Sequence, residues 1–242
     1  MRIFLLASLL LAPLAAQAHT FLVKPEQTDD QLSIAVLMTE KLFQGERLLS
    51  SGDVSLRLLS AEGQQDITLH ADETAKALIG EIPAPASSAI AVARSAPRYR
   101  AIEKGQQTKD PAKTLRIEAF AKALINPQGS GEAYTMRAGD RLELAPLDNP
   151  AHLSSGDTLR VIVLFDGQPL ANARVAAMAP QQDRLVAHTD ANGVANLQLP
   201  AAGSWVIRSR HHIDEVDARS IRYEANTSML IKINPEDTLV SQ

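Results

Sequence analysis

The chain has 242 residues, 24 Lys and Arg against 28 Asp and Glu, a net charge of −4 and no cysteine. That balance leaves no electrostatic footprint for nucleic acid or an anionic membrane. The absent thiol excludes disulfides, thiolate metal sites and cysteine nucleophiles, and aromatic residues, at 4%, are too sparse for base- or sugar-stacking grooves.

Met1-Arg2 supplies a positive end, Ile3 to Ala16 an apolar stretch, and Ala16-Gln17-Ala18 a small-x-small cleavage site. Together they predict a secretory signal over residues 1–18, cleaved after Ala18. The apolar stretch is too short for a comfortable span, no second one follows, and no cysteine is present to carry a lipid. The expectation is a periplasmic protein with no transmembrane segment after cleavage. Losing Arg2 takes the net charge from −4 to −5.

Cleavage after Ala18 makes His19 the first mature residue, and its amine and imidazole Nδ1 can then close a chelate ring on a transition metal. Cleavage after Ala16 would instead put His19 third, where amine, amides and imidazole can wrap Cu²⁺ or Ni²⁺ in a square plane. Either start is competent to hold a metal.

Further along, Leu32, Ile34, Val36 and Met38 alternate over residues 31–39, and Val54, Leu56 and Leu58 repeat the pattern, so both read as strands. Ile67-Thr68-Leu69 reads as a short strand with His70 at its loop edge. Residues 83–88 form a Pro-rich loop, 89–95 a weak strand, and 104–113 a polar loop. Residues 114–125 (T-L-R-I-E-A-F-A-K-A-L-I) stay open: Ala, Glu and Lys favour helix, whereas the alternation permits strand. Asn126-Pro127-Gln128-Gly129 ends that element either way. A Pro-rich connector through Pro146 and Pro150 places a domain boundary near residue 148.

Thr158 to Phe165 is a strand closed by an Asp166-Gly167 hairpin turn. Asp190-Ala191-Asn192-Gly193 is a second turn, with Gly193 free to take positive φ. Ala195, Leu197 and Leu199 share one face, Trp205 and Ile207 continue it in the next strand, and Met229, Ile231 and Ile233 form the last. The predicted fold is all-β, with two sandwich-like domains over 19–147 and 148–235, the second immunoglobulin- or transthyretin-like, and a tail over 236–242.

The signal, A-H-T-F-L, E-A-F-A-K-A-L-I, L-E-L-A-P-L-D-N-P, D-G-Q-P-L-A-N-A-R-V, T-D-A-N-G-V and G-S-W-V-I-R-S-R-H together resemble an exported domain-of-unknown-function family. That family is described as periplasmic components or accessories of nickel/cobalt uptake. Its D-G-x-P-L and T-D-x-x-G pieces recur in carboxypeptidase-regulatory-like, transthyretin-like sandwiches. The resemblance implies a two-domain β protein that binds a divalent metal outside the cytoplasm, with His19 and His211 at the matching positions. The histidine-rich loop that some such proteins carry is absent.

Imidazole accepts Ni²⁺, Co²⁺, Cu²⁺ and Zn²⁺ alike, and four methionines after the signal do not make a thioether site for Cu(I). Strand parity sets His211 with Trp205 and Ile207 on the core side and His212 on the other. Asp214 and Glu215 follow within reach as carboxylate ligands or as acceptors for an imidazole N–H. The predicted metal residues are therefore His19, His211, His212 and Asp214, while His70, His152 and His188 read as surface residues. No G-x-S-x-G, H-E-x-x-H or glycine-rich phosphate loop is present, so no enzyme is expected. The expected role is a metal-binding accessory that presents Ni, Co or Cu to a membrane transporter. The competing reading is an exported sandwich module for structure or interaction, without metal. The shared-site expectation requires His19 and His211 to converge.

Overall fold

The computed structural model describes residues 19–103, 105–127 and 132–235. The expected signal (1–18) and tail (236–242) lie outside the described residues. Strands joined by turns and short 3-10 segments make up nearly everything described. In chain order the first are β1 (Thr20–Gln27), β2 (Gln31–Thr39), β3 (Val54–Ser60), β4 (Gly63–Ile67), β5 (His70–Asp72), β6 (Ala77–Pro83), β7 (Ala89–Ser95), β8 (Arg98–Ala101) and β9 (Thr114–Ile125). Then come β10 (Leu142–Pro146), β11 (Thr158–Phe165), β12 (Gln168–Pro169), β13 (Arg174–Met178), β14 (Leu185–His188), β15 (Val194–Gln198), β16 (Gly203–Asp214) and β17 (Arg222–Ile233).

They form three layers. A nine-stranded central sheet runs β14-β13-β16-β17-β9-β7-β3-β4, with β8 also on β9. A four-stranded sheet, β1-β2-β6-β5, covers part of one face, and β10-β11-β12 with β15 beside β11 covers part of the other. The first core sets Val23, Ile34, Val36 and Leu78 of the outer sheet against small residues of the central one, among them Ala91, Ala93, Ala119 and Ala121. The second sets Leu144, Leu159, Val161 and Val163 against Val175, Trp205, Ile207 and Ile231.

β9 serves both cores. Ala119, Ala121, Ala123 and Ile125 enter the first, Phe120 the second, and Leu124 packs against the second. A strand buried on both faces needs apolar side chains in both of its rows. The helix alternative for residues 114–125 came from the propensities of its Ala, Glu and Lys, which burial on both faces of the sheet overrides. Lys122, on the same strand, is 3% exposed and bonds to Glu143, also 3% exposed, on β10. Glu143 further accepts the backbone N–H groups of Ala138 (2.6 Å) and Gly139 (3.2 Å), so the buried charges are paired and solvated by the chain.

The boundary expected near residue 148 falls between β10 and β11, and these two strands pair antiparallel from Leu142–Phe165 to Pro146–Val161. β17, from the chain's end, lies parallel to β9, pairing Arg222 with Leu115 through to Leu230 with Ala123. The two sandwiches thus share one sheet. The short strand expected at 67–69 is instead a crossover: β4 ends at Ile67 in the central sheet and β5 starts at His70 in the outer one.

Both expected turns form. Asp166 and Gly167 take φ of 48° and 74°, which closes the β11–β12 hairpin as a type I′ turn. Gly193 takes φ of 74°, and a Cβ there would meet the Val163 carbonyl at 2.9 Å and the Leu170 nitrogen at 3.0 Å, so the site tolerates only glycine. Asp190 Oδ1 accepts the backbone N–H of Asn192 and of Val194, each at 2.9 Å.

Candidate metal centre

The register of the first hairpin creates a donor cluster. β1 and β2 pair Thr20 with Thr39, and one step further out His19 faces Glu40. His19 Nε2 lies 3.1 Å from Glu40 Oε1 and 3.7 Å from Glu46 Oε2. Glu46 comes back to the strand end because its own N–H donates to the Met38 carbonyl (3.1 Å), while its Oε1 accepts the Lys41 N–H (3.2 Å). The loop must also press closely on its neighbour: a Cβ on Gly45 would lie 2.3 Å from the Ala75 carbonyl oxygen.

One donor atom from each of His19, Glu40 and Glu46 falls within 4.8 Å of the others. Ligands bound at about 2.1 Å sit roughly 3.0–3.4 Å apart in octahedral or tetrahedral geometry. The His19–Glu40 separation already matches that spacing, and Glu46 needs only a small closure. Side-chain exposures of 51%, 35% and 28% put the trio at the surface, reachable by an ion or by a partner. Imidazole with two carboxylates suits several divalent ions and does not select one. A proton on the imidazole would turn the same geometry into an ion pair, so metal and proton compete for it.

The other predicted ligands lie elsewhere. Arg208, three positions before His211 on β16, donates from Nη1 to Thr20 Oγ1 at 3.1 Å. An odd separation along a strand puts side chains on opposite faces. The central sheet therefore stands between the surroundings of His19 and the His211 ring, which packs edge-on to Phe165 with centroids 4.7 Å apart. The expected convergence of His19 and His211 does not occur, because β1 crosses the face of β16 that His211 does not use. Burial lowers the His211 pKa, the neighbouring His212 adds to that, and Asp166 opposes it.

His212 is exposed and sits opposite Glu224 on β17. Asp214, 88% exposed, pairs with Arg222 at 3.3 Å. Glu215 is engaged by two guanidinium groups, Arg116 and Arg141, each with a contact of 2.5 Å. Both arginines also lie over the Tyr223 ring, at 4.7 and 4.2 Å from its centroid. These carboxylates are committed to arginines, and no triad of metal donors forms around His211 among the described residues. His70, His152 and His188 are all exposed.

Glu40 and Glu46 are the residues that sequence reading missed. The usable signal was the hairpin: once residues 20–27 are taken as a strand returning into 31–39 through a tight turn, residue 19 must face residue 40.

A family model described as "Domain of unknown function (DUF4198)" matches residues 16–213. A search of the curated proteins finds no match. Among solved structures, a two fibronectin type-III domain segment from chicken tenascin is similar at 11% identity and a TM-score of 0.25, over 88% of this chain and 99% of that one. The all-β character of this chain rests on its own strands.

Proposed function

We propose that this chain, which belongs to the DUF4198 family, binds a divalent transition metal outside the cytoplasm and serves as an accessory to metal uptake. The observation that carries the reading is the convergence of His19 Nε2 with Glu40 at ligand-to-ligand spacing and with Glu46 at 3.7 Å, a small closure away. If export removes residues 1–18, the new α-amine arises on His19 itself; a chelate through that amine uses Nδ1, so the ring must turn from its Nε2 contact with the carboxylates to bring amine, imidazole and carboxylates to one ion. Amine, imidazole and carboxylates together favour Ni²⁺, Co²⁺ or Cu²⁺ over hard cations, following ligand softness. Nickel or cobalt uptake is the role carried by the family resemblance, with a membrane transporter as the receiver. An exposed site fits that role, because a cargo ion must leave as well as arrive.

The test is native mass spectrometry and titration calorimetry on the protein as exported by its own host, with Ni²⁺, Co²⁺, Cu²⁺ and Zn²⁺ offered separately. One ion per chain is expected. His19→Ala and the double change Glu40→Gln/Glu46→Gln should each weaken binding by at least about tenfold, the scale on which loss of even an outer partner acts. At about 100 Kd of free metal, binding should raise stability by about 2.7 kcal/mol, and the His19 variant should lose that gain. A correctly processed chain that stays metal-free at micromolar metal would leave the metal-free interaction module as the reading.

A further inference from the structure

Glu40 and Glu46 belong to one loop, the connection that leaves β2, and its backbone is tied down from within. Thr39 Oγ1 donates to the Lys41 carbonyl, and the Gln44 N–H donates to the same carbonyl at 3.2 Å. The Glu46 N–H returns to the Met38 carbonyl at 3.1 Å. Between these bonds Phe43 takes φ of 68°, a conformation that a bulky residue keeps only where its surroundings enforce it. Here the surroundings are apolar: Leu42 and Phe43 pack against Leu22, Leu37, Ala77 and Val206.

The loop also leans on a second piece of chain. Gly45 sits on the turn between β5 and β6, where a Cβ would come within 2.6 Å of the Lys76 carbonyl oxygen and closer still to that of Ala75. Gly45 does not take positive φ, so the demand at this position is for space. Backbone carbonyls cannot swing aside as the end of a side chain can, and only glycine lets the two chains meet. The turn is itself stiffened, because Asp72 Oδ1 accepts the N–H groups of Thr74 and Ala75, each at 2.9 Å.

The residue after Gly45 is the carboxylate that has to close on an ion. Glu46 Oε1 accepts the Lys41 N–H at 3.2 Å, which leaves Oε2, 3.7 Å from His19 Nε2, as the ligand oxygen. Bringing a Cβ at position 45 to ordinary contact would move the loop by about 1 Å, the looseness at which a preorganised site fails. We propose that Gly45 is a positioning residue of the metal centre: its seat on the 72–76 turn sets Glu46 at closing distance from the His19 ring. The inference rests on the metal reading above and adds to it that β5 and β6, which supply no donor, help to fix the affinity.

Calorimetric titration of the full exported chain with Ni²⁺ tests it, together with the absorption bands of the Co²⁺-loaded protein, which follow the ligand set. Gly45→Ala should weaken Ni²⁺ binding by roughly tenfold or more and shift the Co²⁺ bands as Glu46→Gln does. Combining the two changes should weaken binding no further than Glu46→Gln alone, within about twofold, because both remove the same ligand. Gly52→Ala is the control: its nearest neighbour would be Ser50 Oγ at 3.8 Å, and affinity should stay within about twofold. Asp72→Ala, which loosens the turn from its far side, should lower affinity in the same direction as Gly45→Ala. Should Gly45→Ala fail to fold, by urea unfolding of the metal-free chain, Asp72→Ala decides. A natural chain that binds no ion would overturn the metal reading and this inference with it. Metal binding that Glu46→Gln weakens and Gly45→Ala leaves unchanged would overturn this inference alone. So would a Gly45→Ala loss that adds in full to that of Glu46→Gln, or one matched by Gly52→Ala.

Discussion

His211 carries a pH signature that separates burial from ligation. Its imidazole, partly buried against Phe165 and beside His212, has a pKa below the ordinary histidine value. For a base with a lowered folded pKa, the unfolded chain binds the proton first. Stability is therefore complete above about pH 6.5 and falls as pH drops through the folded value. In urea unfolding at pH 7.5 and pH 5, His211→Phe should lose less stability on acidification than the natural chain. Equal losses would mean that the ring is solvated. At this scale the sequence was half legible. His19 was singled out through an expected cleavage site that lies outside the described residues, and strand parity put His211 on the side of the sheet where it meets Phe165. Glu40 and Glu46 were hidden because a carboxylate in a loop is unremarkable until a register brings it to a histidine. Asp214 and Glu215 looked like ligands because their arginine partners, Arg222, Arg116 and Arg141, come from other strands.

Among the elements, the turns were the most readable, since they depend on local chemistry. Gly193 and Gly167 share φ of 74°, but only Gly193 would drive a Cβ into backbone atoms, whereas space around Gly167 is open. Gly167→Ala should cost about 1–2 kcal/mol, the left-handed penalty alone. Gly193→Ala should cost more, about 2–4 kcal/mol, and denaturant midpoints at unchanged m-value would show the difference. A Gly193 loss no larger than that of Gly167 would mean that the β11 and β12 backbones yield. β15, whose buried Ala195 and Leu197 alternate with exposed Asn196 and Gln198, announced itself by alternation. β9 stayed open because its Ala, Glu and Lys favour helix as strongly as its alternation permits strand, and the crossover from β4 to β5 hid inside an apolar triplet.

At the scale of the whole molecule, composition and turn spacing were enough for an all-β chain, but no local signal could reveal that one sheet serves both cores. Parallel pairing of β9 with β17 depends on residues far apart in sequence, and single-chain patterning carries no trace of it. Its thermodynamic consequence is cooperativity. Leu78→Ala in the first core and Leu159→Ala in the second, both fully buried, should each remove about 2–5 kcal/mol. Both should lower the same calorimetric transition. Two transitions, each moved by only one of the changes, would show that the sandwiches melt independently.

The same pairing dictates an order of events during synthesis. A chain emerging N-terminus first presents β9 long before β17 exists to cover its edge. Until then a long apolar strand offers unpaired N–H and C=O groups to any other strand it meets. Cutting the chain after residue 147 would make that exposure permanent, so the first sandwich has no finished form without β17.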